Sequence, residues 1–342
     1  MSRTIKAAII GFGGMGQRHF KAYEKIGVDV IAIADLLSEK VKEILPEFPD
    51  DGIYKDYRDL FKKEDLDVVS VVTNGPTHAP VTIAASNAGI RHVMCEKPMA
   101  TRLSDAEAII KTITKNKTRL AVNHTRRHSV NYARLKEMIG KGIIGNVRHL
   151  YFNCGSTGIG NNAIHFFDTA RFITGSEAGW AIGFTDKTGT PNPRGKQFSD
   201  PGGYGIIEFR DGTRFFIDTS EDTGVQYSFQ IVGEYGRIII DELNDVWDIR
   251  ARSEDTRNLP LTRYGSEMIT VPFKSDGPFD IIDLTSRGLA ELVSRKPVSC
   301  TAVDGKKALE MVIGFHISDA AGNTKVQFPL SGSDQDKEVK IA

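Results

Sequence analysis

The sequence predicts two folded regions in series: an α/β domain built on a doubly wound parallel sheet, then an α+β domain with a large, mainly antiparallel open sheet. Three observations lead there. A glycine-rich turn, Gly11-Phe12-Gly13-Gly14-Met15-Gly16, lies between a short apolar run and a helix-like stretch. Apolar runs of strand length then alternate with helix-like stretches as far as Asn123, the rhythm of a parallel sheet with crossover helices. After Asn146 that rhythm stops, and strand-like runs follow one another across Gly, Asn and Asp turns.

Composition narrows the function classes. A chain of 342 residues exceeds what one hydrophobic core usually serves, so two domains are expected. Basic and acidic residues balance at 44 each, which leaves no global field to hold nucleic acid or an anionic membrane surface. No run approaches a membrane span, and the N-terminus leads into a strand without the apolar region of a signal peptide. Cys95, Cys154 and Cys300 form no C-x-x-C pair and read as reduced thiols of a cytoplasmic protein. No His or Cys cluster has zinc-ligand spacing, so no metal is expected. A small neutral or modestly charged molecule is the expected partner.

Taken in order, residues 5–10 form the first apolar run and empty into the glycine-rich turn, which opens a helix over residues 14–26 closed by Gly27. Gly11 permits the tight turn, Gly13 lets the backbone approach a pyrophosphate, and Gly16 lets helix and strand pack closely. The helix N-terminus offers free N–H groups and a positive dipole end to phosphate. A second strand over residues 28–34 ends at Asp35, nineteen residues after Gly16, the placement that reaches a ribose 2′-hydroxyl. A carboxylate there repels a 2′-phosphate, and Leu36 and Leu37 offer no arginine, so NAD is preferred to NADP.

Residues 66–73 read as a buried strand whose loop carries Thr73, Asn74 and His78, followed by a helix over residues 78–88 and a strand over residues 91–95. That strand ends in Glu96-Lys97-Pro98. Pro98 fixes its own φ and biases Lys97 toward an extended backbone, so the ammonium leaves the sheet in one direction. Ser104-Asp105-Ala106-Glu107 has the form of a capping box starting the next helix, and residues 120–123 complete the set of strands. Ligands of open parallel sheets lie outside the carboxyl ends of the strands. By that rule the glycine-rich turn, Asp35, Thr73 and Asn74, Glu96 and Lys97, and Asn123 and His124 surround one crevice.

Together with His165 and Asp168 further along, these residues resemble the Gfo/Idh/MocA oxidoreductases, over nearly the whole chain to about residue 330. The resemblance implies a Rossmann domain followed by a domain with a large, mainly antiparallel sheet. It implies oxidation or reduction of a hydroxyl of a sugar, an inositol or a nucleotide sugar. It also implies that Lys97 lies beside the nicotinamide and the reacting oxygen, and that Glu96 helps hold the cofactor with Phe12, Met15, Thr73, Asn74 and His78.

The second region begins with a helix over residues 129–139 and a strand over residues 146–154. Residues 202–209 and 213–219, joined by Asp211-Gly212, form the clearest hairpin of the chain. Further strands are expected over residues 225–232, 237–241 and 246–251, with one sheet face on helices and the other available to a partner subunit of a homodimer or homotetramer. Two helices close the region, the last with an apolar stripe on which His316 reads as a core or boundary residue.

The chemical element here is Asn161-Asn162-Ala163-Ile164-His165-Phe166-Phe167-Asp168, preceded by glycine-rich residues 155–160. On a helix, Asn161 and His165 share a face and Asp168 comes close to His165. The resemblance would place an Asp four residues before the histidine; Asn161 can hydrogen-bond a substrate hydroxyl but supplies no negative charge. An imidazole suits general base work near neutrality. Among the basic residues after the sixth strand, His124 and Arg126 are candidates to contact substrate, while residues 186–201 read as a mobile loop at the substrate mouth or a subunit contact.

The expected organisation is therefore a dinucleotide-binding domain over residues 1–123, a substrate-binding and oligomerisation domain over residues 124–330 whose C-terminal helices pack back on the first, and a loosely ordered polar tail over residues 331–342. The expected activity is NAD-dependent hydride transfer to or from a secondary hydroxyl or ketone of a sugar-like substrate. Lys97, His165 and Asn161 are the expected catalytic residues, and Asn123, His124, Arg126 and Asn162 join them in binding substrate. Two other readings remain open: a glycoside hydrolase that oxidises its sugar transiently with bound NAD, and a non-catalytic sugar or dinucleotide sensor of the same fold.

Overall fold

The structure, a computed structural model, describes residues 4–155, 158–189, 192, 195–261, 267–294 and 296–341. The chain divides into two compact units: unit 1 takes Met1–His128, Asp280–Leu309 and Gln335–Ala342, and unit 2 takes Ser129–Phe279 and Glu310–Asp334.

Unit 1 follows the expected alternation. In chain order it runs β1 (Lys6–Ile10), α1 (Gly14–Lys25), β2 (Asp29–Ala34), α2 (Ser38–Ile44), β3 (Ile53–Tyr54) and α3 (Tyr57–Lys63). It continues with β4 (Val68–Val71), α4 (Gly75–Asn87), β5 (His92–Cys95), α5 (Leu103–Asn116) and β6 (Arg119–Val122). Among the described residues these strands make a six-stranded sheet of order β3-β2-β1-β4-β5-β6, every neighbouring pair parallel. That is the doubly wound order, with its crossover point between β1 and β4. Parallel strands covered on both faces bury nearly every side chain, and Val68, Val69, Ser70 and Val71 are all buried.

Two local expectations are corrected. α5 starts at Leu103 with Arg102 at its N-cap and no side-chain cap bond, so Ser104 does not open a capping box. The helix begins two residues earlier because Leu103 and Ala106 are needed in the core, at 2% and 0% exposure. α4 begins at Gly75, three residues before His78, with Pro76 in its first turn, where the missing proline N–H has no helical acceptor to lose.

Unit 2 opens with α6 (Val130–Gly140), capped by the Ser129 hydroxyl accepting from Tyr132 N–H, then β7 (Val147–Asn153), α7 (Ile164–Thr174), β8 (Ala178–Thr185), β9 (Gly203–Phe209) and β10 (Arg214–Asp218). β11 (Ser228–Gly233), β12 (Gly236–Asp241), β13 (Val246–Arg252) and β14 (Met268–Val271) continue it. α8 (Ile281–Val293) and the first turns of α9 (Ala302–Ala320) fall in unit 1, and β15 (Val326–Gln327) returns to unit 2. Among the described residues the second sheet has nine strands, ordered β14-β13-β12-β11-β7-β10-β9-β8-β15. Its pairs are antiparallel except β7 with β10.

Burial alternates along these strands. Leu150, Phe152, Phe215, Phe229, Ile231, Ile238 and Ile240 turn to the core, where Phe152 stacks on Phe166 of α7 and Phe167 meets Phe215 edge-on. Tyr151 and Phe216 stack on the opposite face beside His149, as do Phe184 and Tyr204. Gly183 and Gly205 pair across β8 and β9, and a Cβ on either would lie 2.8 Å from the ring of Phe315 on α9. Glycine at both positions lets that ring press onto the sheet.

The sequence-based boundaries differ from these units in several places, the first being residues 124–128, which belong to unit 1 rather than to the second domain. α8, counted with the second domain but expected among the helices that pack back on the first, buries Leu289 and Leu292 in the core of unit 1 with Ala22 and Tyr23 of α1. The tail is not loosely ordered: Val339 and Ile341 are 3% and 0% exposed, Val339 N–H donates to Thr101 O at 3.1 Å, and Arg102 pairs with Glu338. Two buried aliphatic side chains in an otherwise polar segment hold it in place. The glycine-rich residues 156 and 157, and residues 190, 191, 193 and 194 of the expected mobile loop, lie outside the described residues. Among the described residues no helix is long and apolar enough to cross a membrane.

Candidate active site

The parallel sheet of unit 1 brings the expected cofactor residues to one edge, since Gly11, Asp35, Asn74, Glu96 and Asn123 all follow carboxyl ends of its strands. Gly11 has φ +94°, and a Cβ there would lie 2.6 Å from Val72 O. A Cβ on Gly16 would lie 2.2 Å from Gly11 O, so glycine is required for α1 to start against β1. Gly13 and Gly14 differ: a Cβ on either meets nothing of the protein within 4 Å. Their bare backbone faces open space at the start of α1, where no side chain caps the first N–H groups and no acidic residue occupies the first turn. This cradle, with its positive helix end, fits a dinucleotide pyrophosphate.

Asp35 ties the second strand to the same turn. One of its carboxylate oxygens accepts Phe12 N–H at 2.6 Å and the other accepts Leu37 N–H at 2.8 Å. Each oxygen keeps a further lone pair, so the carboxylate can anchor the turn and still accept a ribose hydroxyl.

The Glu96-Lys97-Pro98 segment is fastened from several sides. His78 places Nδ1 2.6 Å from Pro98 O and Nε2 2.8 Å from Thr73 O, bracing the ends of β5 and β4 against each other. Burial pulls the proton affinity of this ring below its ordinary value, against the two carbonyl contacts, which favour the charged form. In a site 2% exposed burial dominates, and a neutral ring satisfies one carbonyl at a time.

Glu96 is 5% exposed. One oxygen, Oε1, lies 3.0 Å from His19 Nε2 and accepts Asn123 Nδ2–H at 2.7 Å, while Oε2 accepts Lys97 N–H at 3.2 Å. Burial by itself would push the carboxyl up. The His19 hydrogen bond and charge, the Lys97 charge and the Asn123 amide outweigh it and hold the group down at about 2. Glu96 is therefore a carboxylate at any working pH, with Lys97 half-buried next to it.

The network extends further than the sequence motifs. His19 Nδ1 lies 3.0 Å from Ser70 Oγ, which lies 2.9 Å from the Tyr23 hydroxyl, and Asn123 Nδ2 lies 3.2 Å from Thr285 Oγ1 of α8. None of His19, Tyr23, Ser70 and Thr285 was marked by sequence reasoning. The signal was present for two of them: His19 sits on the buried stripe of α1 with Gly16, Ala22 and Tyr23, and Ser70 interrupts an apolar strand. Asn123 Oδ1 is buried with no hydrogen-bond partner among the described residues. An unmet buried acceptor costs about 1–3 kcal/mol, and a ligand donor would relieve that cost.

The basic residues after β6 divide. His124 and Arg126 are 1% and 7% exposed, so they are not part of a solvated surface loop. Arg127 pairs with Asp304 at 3.0 Å, and His128 Nδ1 lies 3.0 Å from Ser299 Oγ; both fasten the 3₁₀ turn Thr125–His128 within unit 1.

In unit 2, Asn161 and Asn162 lie in a π-helical turn, Ile159–Ala163, and His165 is the second residue of α7. Ala163 N–H reaches back five residues to Gly158 O, so the turn is wider than an α-turn. Such insertions are found preferentially at functional sites. Asp200 fastens the turn by accepting Gly160 N–H at 2.7 Å. His165 and both asparagines are partly exposed, whereas Asp168 is 1% exposed and pairs with Arg171 at 3.6 Å, which in turn grips Glu177 at 2.6 Å. Among the described residues no group of three or more His, Cys, Asp or Glu gathers in a way that could hold a metal ion.

Comparison with known proteins agrees with this geometry. Residues 5–124 match the oxidoreductase family with an NAD-binding Rossmann fold. The chain is 34% identical over 146 residues to an inositol 2-dehydrogenase of Salmonella typhimurium, an alignment covering 42% of this chain and 43% of that enzyme. It is 26% identical over 258 residues to a myo-inositol 2-dehydrogenase of Thermotoga maritima, covering 70% and 76% of the two chains. An oxidoreductase domain protein from Kribbella flavida has the same fold, with a TM-score of 0.81 at 20% identity over 96% of this chain and 100% of that one. The glycine-rich turn, the ordered parallel sheet and these likenesses together place residues 5–124 in the Gfo/Idh/MocA oxidoreductase family, with its NAD-binding Rossmann fold.

Proposed function

We propose that the protein is an NAD-dependent dehydrogenase acting on a secondary hydroxyl of an inositol or sugar-like polyol. The observation that carries this reading is the carboxyl edge of the unit 1 sheet, where a phosphate cradle, the Asp35 carboxylate and the Glu96-Lys97 pair stand at successive strand ends. The names of the Salmonella and Thermotoga relatives point to inositols as the first substrates to try. Asp35 favours NAD over NADP, because a carboxylate accepts from a free 2′-hydroxyl and repels a phosphate there.

When bound, the nicotinamide supplies the hydride chemistry. The protein's own groups handle charge and protons. Lys97 stabilises the alkoxide that develops on the substrate oxygen and orients that oxygen. His165 takes the hydroxyl proton, and Asn161 and Asn162 hold neighbouring hydroxyls. Asn123, His124 and Arg126 are proposed to complete substrate recognition, and Thr73, Asn74 and His78 to shape the nicotinamide end of the cofactor site. We assign the aromatic face of the unit 2 sheet to assembly with a second copy of the chain.

The test is a panel of inositols, aldoses, sugar acids and nucleotide sugars, each incubated with NAD while reduced nicotinamide is followed by absorbance. Turnover of at least one polyol with NAD is expected. Tight NAD binding without reduction by any of them would refute the dehydrogenase reading.

A further inference from the structure

We propose that His19 is a positioning residue of this site, which fixes the Glu96 carboxylate at the carboxyl end of β5 through a hydrogen-bonded chain running from Tyr23 through Ser70. The inference rests on the dehydrogenase reading and adds to it a residue that none of the sequence motifs contains.

The geometry is that of a continuous buried hydrogen-bonded chain. His19 stands on α1 one turn before Tyr23, and both are 0% exposed. Its Nε2 faces a carboxylate oxygen at 3.0 Å, which requires a proton on Nε2. Its Nδ1 lies 3.0 Å from Ser70 Oγ, which lies 2.9 Å from the Tyr23 hydroxyl, and the hydroxyls can turn to suit either protonation state of the ring. Burial pushes the Tyr23 phenol up, so it keeps its proton to donate. Tyr23, Ser70 and His19 all lie on a helix or strand of unit 1, so the position of the imidazole ring is set by the fold rather than by a ligand.

Glu96 needs such a partner. A carboxylate 5% exposed loses most of its hydration, and without compensation it takes up a proton. The groups facing it are His19 from α1, Asn123 just after β6, Lys97 from its own segment and His78 from α4; Thr285 from α8 reaches it through Asn123. The neighbouring Cys95 thiol is pushed up to about 12 by burial and carries no charge. The nearest charged groups on α8 are engaged elsewhere, Asp283 with Lys25 and Arg287. His124 and Arg126 follow Asn123 and are buried with it. Of these groups, His19 alone touches a Glu96 oxygen with a titratable ring. Its removal leaves the Asn123 amide and the Lys97 segment to hold a desolvated charge.

The consequence is a pH dependence that a purely structural histidine would not produce. With His19 present, Glu96 stays ionised and its share of NADH affinity is flat across the working range. In His19→Leu the carboxyl rises from its depressed value, so NADH binding weakens as pH falls toward that raised value and recovers above it, by at most about tenfold per pH unit. His19→Gln, which keeps a donor toward Glu96 without a titratable ring, lies between the two.

The experiment is titration of NADH by fluorescence from about pH 5 to about pH 9 for wild type, His19→Leu, His19→Gln and Ser70→Ala, with thermal melting as the folding control. A pH-dependent loss in His19→Leu, smaller in His19→Gln and present in Ser70→Ala, supports the inference. If His19→Leu does not fold, the other two variants decide. Profiles parallel to wild type in the folded variants overturn it. Failure of wild type to bind NADH overturns the dehydrogenase reading instead.

Discussion

Asp35 illustrates how much one side chain is asked to do at this site. It holds the Phe12 and Leu37 N–H groups and, in the proposed role, also accepts from the ribose. Asp35→Ala should therefore weaken NAD more than NADP and narrow the gap between them, because the loss of the turn's anchor is common to both cofactors. Paired titrations check this, and NADP binding as tightly as NAD in the unmodified protein would end the assignment. Lys97 and His165 should act chiefly in the transition state, where charge develops and a proton leaves. Lys97→Ala is expected to lower kcat by roughly 10²–10³. His165→Ala should lower it by roughly 10²–10⁴, with NADH affinity changing less than either rate. Single-turnover measurement separates chemistry from release; if His165→Ala keeps the wild-type rate, His124 becomes the first alternative base to test.

At the scale of the element, the glycine-rich turn separates folding from binding. Gly13 has φ −67° and ψ −166°, a backbone that alanine adopts, and its missing Cβ borders open space. Gly13→Ala should melt within a few tenths of a kcal/mol of wild type yet bind NADH at least tenfold more weakly, because the methyl occupies the pyrophosphate's approach. Gly16→Ala should do worse on both counts. Its Cβ would lie 2.2 Å from a backbone oxygen, and separating α1 from β1 costs about 1–3 kcal/mol. Thermal melting with NADH titration on the two variants tests the contrast, and equal melting points would show that helix and strand relax freely. Elements with strong periodicity were legible: β1, α1, β2, β5 and the β9–β10 hairpin lie within a few residues of their expected bounds. β8 was not, because Gly179 and Gly183 dilute its strand signal, and Gly183 is there to admit Phe315 from a helix far along the chain.

For the whole molecule, the aromatic face of the second sheet leaves large rings exposed among the described residues. Tyr151 and Tyr204 remain 41% and 47% exposed although each stacks on another ring. An antiparallel sheet needs only one face covered by its own chain, and a second copy related by a two-fold axis would bury the other. The unmodified protein should sediment as a dimer or larger species, and Tyr151→Glu with Phe216→Glu should release monomers without loss of melting cooperativity. A wild-type monomer at micromolar concentration would refute assembly through this face.

What the sequence determined by itself was local and periodic. The glycine spacing, the acidic residue after the second strand, Glu96-Lys97-Pro98 and the change from crossover to hairpin rhythm depend on near neighbours along the chain, so they can be read in order. Asp35, Gly13 and Lys97 were identified on those grounds. The partners of Glu96 were not, because His19, Ser70 and Thr285 come from three elements that only the packed sheet and α8 bring to one carboxylate. The same reason covers α8 and the tail. Their apolar residues say that they bury something, but residues 280–309 and 335–342 join the first unit only because its core has room for Leu289 and Leu292 and its surface for Val339 and Ile341. Complementarity between segments hundreds of residues apart is a property of the assembled core, and tertiary packing alone decided it.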